Sequence, residues 1–284
     1  MRGLKLGLLS AVMLFAATAA QAQSNKDDVE IKATQLSERV YMLTGMDGNI
    51  GVYVGDDGVV MIDAQYKGFA DKITAAIAEI SEQPIRTLVN THFHGDHTGG
   101  NADFAKKGVK VVAHENVKTR LAANEKFERE GLPTITFDKS LEVKTGSTAV
   151  RLKHYPHGHT DGDVVVWFPS SNVIHAGDLF FVDRFPFIDL NVGGNVQGFI
   201  DNVRAVIASI DGDTQIIPGH GSLSKRSDWL RLVHMIEATR EEVMTMKEQG
   251  MTEDEAVAKG LSEQWADWSW SFINEERWIR TLYK

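Results

Sequence analysis

Two hydrophobic periods alternate along this chain. Short runs rich in β-branched residues read as strands, and stretches with apolar positions three and four apart read as helices. Val40-Tyr-Met-Leu43, Ile50-Gly-Val-Tyr-Val54 and Val59-Val-Met-Ile-Asp63 are predicted strands, with Gly55-Asp-Asp-Gly58 as the turn between the last two. Gly68 to Ile80 has helical spacing, and Arg86-Thr-Leu-Val-Asn90, bounded by Pro84, reads as a buried strand. A short helix is expected near Asn101 to Lys107, a strand at Val109 to Ala113 and a helix at Asn116 to Ala123. Residues 23–29 are polar and read as a frayed start.

After a joint near 131–138, marked by Gly131-Leu-Pro133, the same grammar returns. Leu141 to Val143, Thr148 to His154, Val164 to Phe168 and Val173 to Ala176 are predicted strands. Asn195 can cap a helix whose apolar face is Phe199, Ile200, Val203, Val206, Ile207 and Ile210. Gln215-Ile-Ile217 is a strand ended by Pro218-Gly-His-Gly221, and Ser227 to Gln249 a long helix. The tail is helical, and its Trp265, Trp268, Trp270 and Trp278 are expected to anchor the last helices against a sheet. Two pseudo-symmetric βα halves predict an α/β protein with sheet packed on sheet and helices outside.

Composition changes this picture in three ways. Arg2 and Lys5, the apolar run from Leu6 to Ala19, and Ala20-Gln21-Ala22 have the form of a secretory signal peptide cut after Ala22. The 262 residues from 23 to 284 then form one exported domain, periplasmic or secreted, with no later stretch apolar enough to span a bilayer. Losing Arg2 and Lys5 takes 30 basic residues to 28 against 39 acidic, a net charge of −11. That balance argues against nucleic acid and anionic membranes and leaves a small-molecule substrate as the expected partner. There is no cysteine, so any metal must be held by nitrogen and oxygen.

The candidate chemistry lies in Thr91-His-Phe-His-Gly-Asp-His97, which concentrates three of ten histidines at the carboxyl end of a predicted strand. Burying imidazoles without partners costs solvation, so a metal ion, a nucleophile partner or solvent exposure must account for them. His92 and His94, two apart on an extended loop, can point the same way, whereas Asp96 and His97 diverge. One loop could therefore serve two ions. Further donor-rich loops follow at predicted strand ends: His157-Gly-His159-Thr-Asp-Gly-Asp163, His175-Ala-Gly-Asp178 and Pro218-Gly-His220-Gly221.

Taken together, His92-x-His94-x-Asp96-His97, Gly158-His159-Thr160, Gly177-Asp178 and Gly219-His220 resemble, in order, the motifs of the metallo-β-lactamase superfamily. The likeness spans roughly residues 35–225. It implies a four-layer αββα sandwich with metals at one edge of the sheets. It implies a first ion on His92, His94 and His159, a second on Asp96, His97 and His220, and Asp178 bridging them. Asp63 matches the family's strand-end aspartate, which orients the ligand loop. Two divalent ions are expected, zinc foremost, with iron or manganese also suited to such donors. The implied reaction is attack on a carbonyl by a metal-held hydroxide, with Asp96 or its water as proton shuttle.

Other residues divide between packing and chemistry. Phe180, Phe181, Phe185 and Phe187 follow Asp178, and Phe181, Arg184 and Phe185 are the candidate substrate pocket. Arg184 could meet a substrate carboxylate or be an ordinary surface arginine. His157 is expected beside the pocket, His175 packed in the core, and His114, His154 and His234 structural or exposed. The missing cysteine excludes the lactamase subclasses that use one as a ligand, and Asp178 resembles the glyoxalase II, lactonase and general hydrolase branches. The expectation is an exported binuclear hydrolase of an ester, lactone, thioester or amide, with β-lactams among the candidates. The alternatives are a genuine β-lactamase, a mononuclear iron dioxygenase acting on persulfides, and a non-enzymatic metal scaffold.

Overall fold

In the computed structural model, residues 26–284 are described. The predicted signal peptide, 1–22, lies outside them. Two sheets stack face to face. The first holds β1 (Lys32–Gln35), β2 (Val40–Thr44), β3 (Ile50–Val54), β4 (Val59–Ile62), β5 (Ile85–Val89), β6 (Lys110–His114) and β7 (Ile135–Phe137), in that order. Strands β1 to β4 run antiparallel, whereas β4 to β7 are parallel and joined through helices. These helices are α1 (Ala70–Ala78), α2 (Gly95–Thr98), α3 (Asn101–Lys106) and α4 (Glu115–Ala123).

The second sheet holds β8 (Ser140–Thr145), β9 (Thr148–His154), β10 (Val164–Phe168), β11 (Val173–Phe181), β12 (Gln215–His220) and β13 (Ser224–Lys225). Only β11 and β12 pair in parallel, and α5 (Val196–Ile207) crosses between them. Three helices close the chain: α6 (Arg226–Glu248), α7 (Glu253–Lys259) and α8 (Glu275–Tyr283).

Side-chain alternation makes the four layers. Along β4, Val60 and Ile62 point into the space between the sheets, where they meet Val150, Val166, Phe168 and Ile217. Val59 and Met61 point the other way, onto Ile73 and Ile77 of α1 and Phe104 of α3. The second sheet buries its outer face, including Val165, Ile174 and Ile216, against Phe199 and Val203 of α5 and Trp229 and Ile236 of α6. Each such side chain contributes about 1.5–3 kcal/mol on leaving water. The order helix, sheet, sheet, helix is the α/β sandwich expected from the two repeated halves.

Several elements depart from their predicted bounds. Strand β1 was not anticipated, because all its side chains are exposed on a sheet edge and carry no apolar period. Strand β7 falls inside the expected joint, and the chain passes from the first sheet to the second between Phe137 and Ser140. Strand β11 runs on to Phe181 and β12 to His220, so Asp178 and His220 sit in the strands themselves. Pairing of β11 with β12 shifts register on both sides of Gly177, whose φ is +53°. A Cβ there would stand 2.8 Å from the Cβ of Thr91, so glycine lets β11 approach the loop after β5.

Candidate metal centre

Parallel strands deliver their loops to one edge. Asp63 follows β4, His92 and His94 follow β5, and His220 ends β12. Asp96 and His97 lie on the single turn of α2, and His159 on the loop between β9 and β10. His92, His94, His159 and Asp178 present ligand atoms within 4.8 Å of one another, and so do Asp96, His97 and His220. Asp178 lies between the groups. Its Oδ2 is 3.3 Å from Nε2 of both His159 and His220, and its Oδ1 is 3.2 Å from Nε2 of His97.

Each imidazole turns one nitrogen inward and ties the other to an outer partner. His92 Nδ1 meets the Thr91 hydroxyl at 3.0 Å, and His159 Nδ1 the Phe187 carbonyl at 2.7 Å. His94 faces inward through Nδ1, 2.9 Å from His159 Nε2, while its Nε2 lies 3.2 Å from Asp189 Oδ2. His97 Nδ1 is 2.8 Å from Asp63 Oδ2, and His220 Nδ1 is 2.9 Å from Asp47 Oδ1. Such outer contacts fix ring orientation and tautomer, as ligating histidines require. Asp63 also accepts from the Thr91 amide and hydroxyl at 2.8 and 2.7 Å, and holds a φ of +65° to do so.

The inner face is polar, buried and unsatisfied. Nε2 of His92, Nε2 of His97 and Oδ1 of Asp178 are buried without a hydrogen-bond partner, although the last two lie close together. Burial takes His92 well below the usual imidazole range and His159 to about 4. At His220 burial also disfavours charge, but Asp178, Asp47 and Asp96 outweigh it and raise the group to about 11. Asp178 resists burial through His220, His97 and His92 and stays well below the carboxylate range. Ionised carboxylates among inward-turned imidazoles fit divalent cations, which would supply the missing partners of all three orphaned atoms. The donors are nitrogen and oxygen alone, which suits zinc, iron or manganese.

A cleft of about 430 Å³ opens onto these donors. His94, Asp96, Asp178 and His220 form its floor, Asp47 and Tyr66 one side, and Phe181, Phe187, Trp270, Ser271 and Phe272 the other. Of the candidate pocket residues, Phe181 lines the cleft, stacked on His220 at 5.0 Å. Phe185 does not: it is fully buried and stacks on Trp278, because the backbone beyond β11 turns its ring into the core. Arg184 lies outside the lining, its guanidinium 5.1 Å from the Trp270 ring. His157 is exposed, with a φ of +57°, and reaches the Gly193 carbonyl rather than the cleft.

The remaining histidines serve packing or solvent. His175 is fully buried and hydrogen-bonds the Asn49 carbonyl and the Gly177 amide. His114 and His154 stack at 3.5 Å, away from the cleft, and His234 is exposed. In the tail, Trp278 is buried and donates to Thr239, and Trp265 donates to Glu242. Trp268 and Trp270 pack against the core of the second sheet as expected, and the half-buried Trp270 lines the cleft as well.

Sequence reading missed Asp47 and Asp189, and gave Asp163 no role. Asp47 lies in the β2–β3 loop, where an aspartate between Met46 and Gly48 looks like a solvated turn, and Asp189, between Ile188 and Leu190, belongs to no donor motif. Asp163 carried a local signal: Thr160 stands three residues before it, and its carboxylate accepts from that residue's amide and hydroxyl, closing the loop that carries His159.

Known proteins are similar to this chain. The metallo-beta-lactamase superfamily profile matches residues 43–220. The "Metallo-beta-lactamase type 2" of Bacteroides fragilis is 26% identical over 225 residues, covering 74% of this chain and 86% of that protein. The protein of the same name from Elizabethkingia meningoseptica is 27% identical over 207 residues, covering 64% and 79%. Among solved structures, the metallo-beta-lactamase from Pontibacter korlensis superposes with a TM-score of 0.64 at 20% identity, covering 73% of this chain and 99% of that one. The profile spans strand β2 to His220, and with it every donor of the cluster. This chain therefore belongs to the metallo-beta-lactamase superfamily and is a hydrolase of that family, with a histidine and aspartate cluster for binding metal.

Proposed function

We propose that the protein is an exported binuclear hydrolase, zinc-dependent in its native state, that cleaves an ester, lactone, thioester or amide. One observation carries the reading: Asp178, in an open cleft, belongs to one donor group and lies 3.2–3.3 Å from His97 and His220 of the other. His92, His94 and His159 would hold one ion, Asp96, His97 and His220 the other, and Asp178 would join both. Divalent ions bound there would bring the pKa of a coordinated water to about 7 and polarise a substrate carbonyl.

The chain's own groups do the rest. Asp63 fixes His97, Asp189 fixes His94 and Asp47 fixes His220, so the donors need little reorganisation. Asp96 lines the cleft beside Asp178 and would take the proton of the attacking water and pass it to the leaving group. The aromatic side keeps bulk water from the reacting carbonyl. Export follows from the signal at 1–22, and the acidic surface favours a small-molecule substrate over nucleic acid.

The test is a panel of lactones, esters, thioesters, amides and β-lactams, assayed on protein whose metal content has been measured. Two zinc ions per chain with turnover of a carbonyl substrate supports the proposal. A single iron with oxygen consumption, or no turnover by metal-replete protein, overturns it. Amino-terminal sequencing of protein from the culture's periplasmic fraction should begin at Gln23.

A further inference from the structure

Part of the aromatic side of the cleft comes from chain beyond the family match. The profile ends at His220, yet Trp270, Ser271 and Phe272, between a 3₁₀ turn (Glu263–Trp268) and α8, line the same cleft as His94 and Asp178. Their rings form a continuous arc. Phe181 lies 6.3 Å from Trp270, Trp270 lies 5.6 Å from Phe272, and Phe272 lies 5.2 Å from Phe187, which is 5.6 Å from His94.

This wall is held from behind. Trp270 Nε1 donates to the Phe185 carbonyl at 2.9 Å, and the Phe185 amide donates to the Trp268 carbonyl at 2.8 Å. Arg277 donates to the Phe272 carbonyl and lies 4.2 Å from that ring and 5.2 Å from Phe187. Phe272 itself is 45% exposed, an unusual state for a ring fixed in place. The lining of the cleft includes Asp47, Asp96 and Asp178 with His94 and His220, and contains no lysine or arginine. The two nearby arginines lie at the rings of the wall, Arg184 at Trp270 and Arg277 at Phe187 and Phe272.

We infer that the C-terminal segment determines specificity, and that the substrate carries a flat, uncharged aromatic group packed between Trp270 and Phe272. The inference rests on the hydrolase reading for the carbonyl and on the wall for the group attached to it. Apolar rings exposed beside a polar floor favour a ligand with an apolar body and one polar reacting end. The lining offers no lysine or arginine to hold a carboxylated acyl group beside the rings, so an uncharged ring suits this wall better.

The experiment compares phenylacetyl, acetyl and glutaryl thioesters of one thiol on wild type, Phe272→Ala and Phe272→Leu. Metal content is measured for each protein. In parallel, calorimetry measures binding of a non-hydrolysable benzyl ketone. In wild type, phenylacetyl should be preferred over both others. In Phe272→Ala the preference for phenylacetyl over acetyl should fall about tenfold, the size of one lost aromatic contact, and through KM rather than kcat. The leucine variant should fall in between, and ketone binding should weaken in the same order. A preference for glutaryl, or ketone binding indifferent to Phe272, overturns the inference. Ketone binding that follows Phe272 without turnover of any thioester supports this inference and counts against the hydrolase reading alone.

Discussion

His220 and Asp47 meet in the cleft lining, Nδ1 to Oδ1, at 2.9 Å, and the other carboxylate oxygen of Asp47 accepts from the Tyr66 hydroxyl at 2.9 Å. The chain Tyr66–Asp47–His220 thus aims His220 Nε2 at Asp96 and Asp178, 3.3 Å from each. Removing such an outer partner usually costs about 10–100-fold in metal affinity. Asp47→Asn should therefore weaken metal binding at His220 by about that factor, read by chelator competition. Equal affinity in wild type and variant would show that Asp47 orients nothing.

Asp63 is the most heavily used carboxylate behind the site. It is fully buried and accepts from the Thr91 amide, the Thr91 hydroxyl and His97 Nδ1. Hydrogen bonds to a charged group contribute about 1.5–3 kcal/mol each. Asp63→Ala should lower unfolding free energy by at least about 3 kcal/mol and empty the ion site that His97 serves. Urea denaturation and elemental analysis check both; a stable variant with full metal content contradicts the role.

Gly219 lies against Asp178. A Cβ at 219 would fall inside the contact distance of Asp178 Oδ1. Gly219→Ala should displace the Asp178 carboxylate and press on β11 locally, since the Cβ would also stand 2.8 Å from the Gly177 carbonyl. Misplacement of a reacting group by about 1 Å costs about 100-fold in rate. The expected result is a native circular dichroism spectrum with kcat/KM down by about that much. Near-wild-type turnover would mean the site tolerates the shift.

The stacked pair His114 and His154 predicts acid sensitivity apart from the metal centre. Burial lowers both, and at His154 the neighbouring His114 adds to it. Their outer nitrogens meet the carbonyls of Asp138 and Asp161. The unfolded chain therefore binds protons first. The pair's contribution to stability is complete above about pH 6.5 and is lost as pH falls through that value toward the lowered ones. Between about pH 8 and pH 5, wild type should lose more unfolding free energy than His154→Gln, measured in urea on chelated protein. Equal losses would exclude the pair as the source.

Legibility in the sequence followed how local each signal was. The unbroken apolar run from Val59 to Ile62 identified a strand buried on both faces, because successive side chains of a strand point to opposite faces and all four are apolar. The cluster from His92 to His97 was equally plain, since donor type and spacing lie within one loop. Edge strand β1 and the three residues of β7 escaped notice because neither has enough apolar repeat to stand out from loop. Phe181 and Phe185 looked alike in sequence. Their fates divide because β11 ends at Phe181 and the backbone then turns Phe185 toward Trp278.

By itself the sequence determined the element types, the absence of thiolate ligands and the donor residues available to a metal. Those depend on residue chemistry and on spacing within a few positions. Only the tertiary structure decided that Asp47 stands behind His220, that Asp189 stands behind His94, and that Trp270 and Phe272 close the cleft. Each of those contacts joins segments far apart in the chain. They form because two sheets, stacked through their apolar faces, carry parallel strand ends and the C-terminal tail to a common edge, and no short window of sequence records that convergence.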